Sequence, residues 1–441
     1  MSQRYELNGR TATEIAGSVE TAVRSGTVLP GETLPPVRSL AADLDVSPGT
    51  VASAYKLLRQ RGVVHTAGRH GTKVRGRPPL GARAAKQLPV PPGVTDLAAG
   101  GPDPRLLPAF GPRLARIKPD PSGYERAGAL PELLDIARER LGGDGVPVTA
   151  LTVTNGALDG IERLLTGHLV AGDPVAVEDP GWGNLLDLVA ALGLHPVPVP
   201  VDDSGPLVAG LRAALAAGAR AFVVTSRAHN PTGAALTSDR AAQLRDVLRE
   251  RPDVLVIEDD HAAELSDTPL ATLAGATASW GLLRSASKPY GPDLRLAVLA
   301  GDEATVDRVA GRMRMGAGWV STVLQQLVVE LWRDPAVAAL VRRARDSYAA
   351  RRDGLVAALT ERGVPASGRT GINVWVPVAD ETATVARLRD AGWAVSPGAI
   401  YRLASPPAVR VTISLLDPAD LAPLADALAS AQRPLPARYG A

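Results

Sequence analysis

From about residue 95 onward, short apolar runs alternate with stretches of helical period. "LTVTN" (151–155), "PVAVEDP" (174–180), "AFVVTS" (221–226) and "VLVIEDD" (254–260) are Val-rich and end in polar or turn residues. Between them lie "ALDGIERLLTGHLV" and "SDRAAQLRDVLRERP", both with helical spacing. Continuous apolar runs mark strands buried on both faces, and their alternation with helices marks βαβ units. The pattern predicts an α/β body with a mostly parallel central sheet covered by helices.

The first 75 residues read differently. "TATEIAGSVETAVRSG" is one amphipathic helix with Ile15, Val19, Ala22 and Val23 on a common face. "PPVRSLAADLD" is a short helix with proline near its start, and "DVS" is a tight turn. "SPGTVASAYKLLRQRG" is a second helix, with Ser47 as N-cap, Pro48 at the first helical position and Gly62 as the stop. Helix, short turn, helix is the geometry that sets a second helix in the major groove of DNA. "VVHTAGRHGTKV" alternates strand and turn residues, as a wing hairpin would.

Between the two lies "GRPPLGARAAKQLPVPPGV" (76–94), rich in Pro, Gly and Ala. Its composition predicts a linker; extended at ~3.1 Å per residue it reaches roughly 60 Å. The expected division is therefore a DNA-binding head at 1–75, a linker at 76–94 and a body at 95–441.

Charge sharpens this division. The whole chain of 441 residues carries a formal +2, yet residues 1–90 hold 13 Lys+Arg against 6 Asp+Glu, and the remainder holds 35 against 40. A basic head on a mildly acidic body points to an anionic partner for the head, such as double-stranded DNA. The chain has no cysteine, so disulfides and thiolate metal sites are excluded. No signal-peptide core and no apolar run of ~18 residues is present, which predicts a cytoplasmic protein with no membrane partner and no metal.

The chemistry gathers at strand ends. "GLLRSASKPYGPDLRL" (281–296) places Lys288 among Ser285, Ser287 and Arg295. A lysine in such a loop is either solvated or a Schiff-base amine, and its company decides. "TVTNGALDG" puts Gly156 and Ala157 at a strand-to-helix turn, where free N–H groups meet anions. "EDPGWGN" supplies Trp182, "HNPTG" supplies Asn230, and "VLVIEDD" puts Asp259 at a strand's carboxyl end. Ligands of open α/β sheets bind at such ends. Together these residue types suit pyridoxal 5'-phosphate. Arg295 is the expected cation that lowers the Lys288 pKa while pairing with phosphate. Ser285, Ser287 and the Gly156–Ala157 amides complete a phosphate cup. Asp259 holds a proton on the pyridine nitrogen, Asn230 donates to the phenolic oxygen, and Trp182 covers the ring.

The head, through "LPPVRSLA" and "GTKV", resembles the GntR-type winged helix-turn-helix over about residues 10–75. The resemblance implies DNA contacts from Arg38, from Ser47 and Thr50 at the recognition-helix start, and from His65, Arg69 and His70 on the wing. A basic residue common after the cap is replaced by Pro48-Gly49. The body, through the order "NGA", "DPGW", "HNPTG", "EDD" and "SASK…R", resembles the class I, fold-type-I aminotransferases over about 95–435. It implies a large subdomain to about 315 and a smaller C-terminal α+β subdomain from about 330, entered by the long helix "VRRARDSYAARRDGLVAAL". The arginine run of that helix is expected to be a solvated face. The resemblance also implies a substrate-carboxylate arginine at Arg410 and a homodimer in which Tyr124 reaches the phosphate across the interface. Where the family has a tyrosine two residues after the ring-nitrogen aspartate, this chain has His261. Where it has Gln after the phosphate turn, this chain has Leu158.

Head and body together resemble the MocR/GabR regulators. The implied function is transcriptional control by a body that senses pyridoxal 5'-phosphate and an amino acid or amine, on a DNA operator with two half-sites. Two alternatives stay open: a working aminotransferase carrying a DNA-binding domain, and a regulator whose body has lost the cofactor.

Overall fold

The computed structural model describes residues 7–24, 27–29, 31–60, 63–66, 71–74, 83, 89–117, 123–124 and 128–432. Two compact units form, one built on residues 1–82 and the other on most of residues 83–441. The expected stop at Gly62 and the wing residues Arg69 and His70 lie outside the described residues, as does most of the predicted linker.

In the head, α1 (Ala12–Arg24), α2 (Val37–Asp43) and α3 (Pro48–Gln60) precede the antiparallel pair β1 (Val64–Thr66) and β2 (Thr72–Val74). Ile15, Ala16, Val19, Leu40, Val51, Tyr55 and Leu58 form its core, with Ala22 and Val23 packed at the margin. The buried Tyr55 hydroxyl donates to the Pro35 carbonyl at 2.7 Å, so α3 is tied to the entry of α2. Asp45, in the turn between α2 and α3, takes a positive φ of 54°, a conformation Asp tolerates better than bulkier residues.

The body opens with β3 (Thr95–Asp96), α4 (Gly111–Leu114) and α5 (Pro131–Gly143). Then β4 (Ala150–Thr154), α6 (Ala157–His168), β5 (Pro174–Asp179), α7 (Gly183–Ala191) and β6 (His195–Asp202) alternate. After β7 (Gly205–Pro206) come α8 (Val208–Ala216), β8 (Ala221–Thr225), α9 (Ser238–Arg249) and β9 (Leu255–Asp260). Next are β10 (Ser279–Ser285), the one-turn α10 (Ser287–Tyr290) and β11 (Ala297–Gly301). The sheet order is β4-β11-β10-β9-β8-β5-β6-β7. Pairs β10–β9, β9–β8 and β8–β5 are parallel, whereas β11 runs antiparallel to both neighbours. All six residues of β9 are buried: the apolar run predicted this for Leu255, Val256 and Ile257, and the acidic Glu258, Asp259 and Asp260 are buried with them.

The chain continues through α11 (Glu303–Arg314), α12 (Thr322–Arg333) and the 27-residue α13 (Pro335–Glu361), which Asp334 caps by accepting from Ala336 N at 2.8 Å. A smaller α+β part completes the body: β12 (Asn373–Pro377), α14 (Glu381–Asp390), β13 (Trp393–Ala394), β14 (Ser396–Pro397), β15 (Ala408–Thr412) and α15 (Leu421–Ala431). Its three-stranded sheet has the order β12-β15-β14, and β13 pairs in parallel with β3. The arginines of α13 divide: those nearer its start follow the expected solvated face, and those further along depart from it. Arg352 is buried and reaches Asp267 at 3.1 Å and Asp353 at 2.8 Å, and Arg351 donates to the Ser414 carbonyl. Arg342 and Arg343 are exposed. Among the described residues no helix is long and apolar enough to cross a membrane.

Beneath the carboxyl ends of β9 and β10, the fully buried Asp260 is gripped by two arginines. Arg227 reaches it at 2.8 and 3.0 Å, and Arg284 at 2.9 and 2.7 Å. Burial raises the Asp260 carboxyl, but Arg284 and Arg227 outweigh it and hold it at about 2. Its contribution to stability is therefore present above the ordinary 3.8 and is lost only as pH falls through about 2. Asp260→Ala leaves the buried Arg227 and Arg284 with the half-buried Asp144 as their shared carboxylate, 3.5 Å from Arg227 and 2.6 Å from Arg284, so it is expected to cost about 3 kcal/mol, read as a lower midpoint in urea unfolding at pH 7. A midpoint within error of the parent would show that the cluster carries no net stability.

Candidate active site

The carboxyl ends of β8, β9 and β10 lie side by side, with Asp259 in register with Thr225 on one neighbour and Leu283 on the other. A cavity of about 570 Å³ opens there. Lys288, Asp259, His261, Asn230, Trp182 and Ala157 line it, and so do Ser285, Ser287, Arg295 and Arg410. These residues come from separate stretches between 157 and 410, and the sheet brings them together.

Lys288 sits on α10, in the connection between β10 and β11. Its Nζ donates to the Gly100 carbonyl at 2.6 Å. Burial lowers its pKa, and the Arg410 guanidinium lowers it further; Asp259 pulls the other way, and the amine settles at about 8. At pH 7 roughly a tenth of such amines are neutral, about 300 times the fraction at the ordinary value. The cation that matters is thus Arg410, where the sequence pointed to Arg295. Desolvation does most of the work, and Arg410 is the cation that faces the amine.

Arg410 lies on β15, opposite Trp375 on β12 and Ser396 on β14. It is buried, donates through Nη1 to Asn230 Oδ1 at 3.0 Å and through Nη2 to the Ala98 carbonyl, and stacks 4.8 Å over the Tyr401 ring. Burial lowers its pKa. Among the described residues it has no carboxylate in ion-pair reach, so an anionic ligand would find an unneutralised guanidinium. The bond from Arg410 occupies the carbonyl side of Asn230 and leaves its NH2 group as a donor.

Asp259 is 3% exposed, and its Oδ1 has no hydrogen-bond partner. A buried acceptor left unpaired is costly, so this oxygen is set to receive an N–H. His261 Nδ1 stands 3.3 Å from Asp259 Oδ2. The imidazole therefore backs the carboxylate, a different post from that of the phenolic-oxygen donor it replaces in the sequence pattern. It is too short to leave the aspartate's side.

The turn from β4 into α6 places Gly156 at φ +96°, where a Cβ would come 2.9 Å from Arg295 Nη2. Backbone and guanidinium thus converge without a side chain between them. Ser285 Oγ accepts from Ser287 N at 3.2 Å, which leaves its O–H to donate. Ser287 differs: its hydroxyl donates to the Leu294 carbonyl at 2.7 Å and closes the α10 loop. An anion in this cup would draw its donors from Ser285, Arg295 and the turn amides.

Tyr124 is not at this cavity. It is 87% exposed and stands edge-on to Trp319, with ring centroids 5.9 Å apart. In the head, Arg38, Ser47 and His65 are exposed and Thr50 is half-buried. Ser47 Oγ accepts from Thr50 N at 3.1 Å and so caps α3, and it sits 2.9 Å from the Thr50 hydroxyl. Gly49, Ala52, Ser53 and Lys56 form the exposed face of that helix.

Sequence reasoning missed Thr225, the segment 98–102, and Ile400 with Tyr401, all of which line the cavity. The loop carrying Tyr401 is held by two carboxylates. Asp179 accepts from Leu403 N, Ala404 N and Ser405 N at 2.8 to 2.9 Å, and from Ser405 Oγ at 3.0 Å. Glu381 accepts from Ala399 N at 2.8 Å and Arg402 Nε at 2.7 Å. Gly181 N closes the wall next to Trp182 by donating to the Tyr401 carbonyl at 2.7 Å. The signal in "SPGAIYRL" was an ordinary turn, and only the fold gives it a role.

Comparison with known proteins agrees with this fold. The family described as aminotransferase class I and II matches residues 117–428, and the bacterial regulatory proteins of the gntR family match 11–74. The vitamin B6 salvage pathway transcriptional repressor PtsJ of Salmonella typhimurium is 40% identical, over 95% of this chain and 98% of that protein. The pyridoxine biosynthesis transcriptional regulator PdxR of Corynebacterium glutamicum is 31% identical over 57% of each chain. The crystal structure of Pyrococcus horikoshii kynurenine aminotransferase superposes with a TM-score of 0.69 at 22% identity, covering 77% of this chain and 90% of that one. At that identity it speaks for the fold alone.

Competitive acetylation followed by peptide mass spectrometry tests the electrostatics of Lys288. Its reactivity is expected to rise through a midpoint near pH 8; a midpoint near 10.5 would mean the amine is neither dry nor opposed by Arg410.

Proposed function

The chain belongs to the GntR-type regulators whose body is a class I and II aminotransferase domain, the MocR/GabR type, and from this we propose that it is a DNA-binding transcriptional regulator whose body binds pyridoxal 5'-phosphate and senses it, alone or with an amino acid or amine. The observation that carries the reading is one cavity holding both a lysine amine lowered to about 8 and a buried carboxylate oxygen without a partner. Names borne by relatives, which refer to vitamin B6 salvage and pyridoxine biosynthesis, support a signal of that kind.

Pyridoxal 5'-phosphate supplies an aldehyde that reacts with amines and a ring that draws electrons when its nitrogen is protonated. The chain's residues suit it. Lys288 is the amine nucleophile, catalytic in that sense, and Arg410 with burial keeps it partly neutral. Asp259 Oδ1, which lacks a partner, would accept from the ring N–H and keep a proton there, with His261 steadying Oδ2. The Asn230 amide donates to the phenolic oxygen, and Trp182 shields the ring. Arg295, the Ser285 hydroxyl and the amides of Gly156 and Ala157 hold the phosphate. Ser287 acts through the loop it closes. Arg410 takes the carboxylate of an amino-acid effector. Tyr124, which does not line its own cavity, would serve the second copy of a homodimer; its exposure beside Trp319 and the 81% exposed Met315 supports such an interface.

In the head, the exposed face of α3 with Lys56 suits the major groove, and Arg38, Ser47, Thr50 and His65 suit phosphate contacts. The basic excess of residues 1–90 supports this assignment. Pairing two heads in a homodimer would match an operator of two half-sites.

Three measurements test this reading on the full chain. Adding pyridoxal 5'-phosphate is expected to give a visible absorbance band that Lys288→Ala abolishes; a band that survives the substitution would remove Lys288 from its role. Affinity for operator duplex is expected to fall about 1,000-fold between 50 and 200 mM salt, and salt-independent binding would argue against a phosphate-contacting head. With an amino donor and a keto acid, sustained turnover at about 1 per second or faster would favour the alternative, an aminotransferase carrying a DNA-binding domain.

A further inference from the structure

Both cations that face the amine chemistry end on one short piece of backbone. Lys288 Nζ donates to the Gly100 carbonyl at 2.6 Å, and Arg410 Nη2 donates to the Ala98 carbonyl. A third bond runs from Ser414 Oγ to the Gly101 carbonyl at 2.6 Å. Gly100 has φ +71°, and a Cβ there would fall 2.9 Å from Arg410 Nη2, so only glycine lets the segment lie against the guanidinium. The segment has no regular structure of its own. Its amino-terminal side is anchored by Leu97 N donating to the Ala394 carbonyl at 2.8 Å. In chain order it comes directly after β3 and the stretch 76–94 that leads from the head.

Leu97 is fixed by backbone bonds to Ala394 and Thr412, and Asp96 Oδ1 accepts from Ala98 N and Ala99 N, whereas the carbonyls of residues 98, 100 and 101 are held by the side chains of Arg410, Lys288 and Ser414, the first two of which face the ligand cavity. A carboxylate competes for Arg410 with a charge-assisted bond stronger than the one to a neutral carbonyl. A ligand engaging the Lys288 nitrogen takes that donor as well. We propose that 97–101 is a ligand-gated strap: occupancy of Lys288 and Arg410 withdraws its two cationic donors, loosens it, and so changes the hold on the chain that leads to the DNA-binding head. The inference rests on the cofactor reading above. It also implies reciprocity, since a strap that ligand loosens must, when loosened otherwise, favour ligand.

Hydrogen exchange on the full chain, with and without saturating pyridoxal 5'-phosphate together with acetate as the carboxylate for Arg410, tests this while absorbance reports loading. Peptides covering 95–103 are expected to exchange about 5-fold faster in the loaded protein, with α13 peptides unchanged. Equal or slower exchange in the presence of the band overturns the strap and leaves the cofactor reading intact. Absence of the band overturns both. Ser414→Ala, which removes the Gly101 tie without touching Lys288 or Arg410, is expected to speed exchange of the same peptides before loading and to tighten pyridoxal 5'-phosphate binding about 5-fold. Faster exchange with unchanged affinity would mean that strap and ligand are uncoupled, and the proposal would fail.

Discussion

Holding an amine and a guanidinium out of water in one cavity, against a facing carboxylate, is the constraint on which the rest of this molecule turns. Removing either cation from water is unfavourable, and placing them together adds repulsion. The lysine answers by giving up its proton more readily. The arginine cannot do so within the working range, and it is accommodated by a carbonyl, an amide oxygen and an aromatic face. The same tension leaves a partly neutral amine and, among the described residues, a guanidinium without a carboxylate partner on one cavity.

Such a cavity persists only if its walls are rigid, and the surrounding carboxylates provide this. Asp260, next to the site aspartate, locks the ends of β9 and β10 through Arg227 and Arg284. Asp179, at the end of β5, accepts four hydrogen bonds from the loop beyond Tyr401, while Glu381 takes the loop's other side. The large sheet and the smaller C-terminal part are thereby joined at the cavity rim. The segment 98–101 is the exception, because two of its carbonyls are tied to Lys288 and Arg410.

Several side chains serve neighbours of the group to which sequence order pointed. The Ser287 hydroxyl closes its own loop, Ser47 caps the helix that follows it with the Thr50 hydroxyl beside it, and His261 leans on the aspartate two residues before it. In each case a nearby backbone or carboxylate partner won because short side chains satisfy local donors and acceptors first. Arg352 inverts the usual expectation for a charged run on a helix. It is buried because Asp267 and Asp353 meet it there.

The sequence by itself determined the alternation of buried strands and helices, the head's three helices and hairpin, and the strand-end positions of Asp259, Asn230 and Lys288. Those arise from hydrophobic period, turn residues and caps, which act over a few residues. Tertiary structure alone decided which cation faces the lysine, that Tyr401 and the Gly100 backbone belong to the cavity, and that Tyr124 stands apart from it. Distances between residues far apart in the chain depend on how strands order in the sheet and where loops return. Local pattern carries no record of that ordering, and burial, which sets the charge of Lys288, exists only once the chain has closed around it.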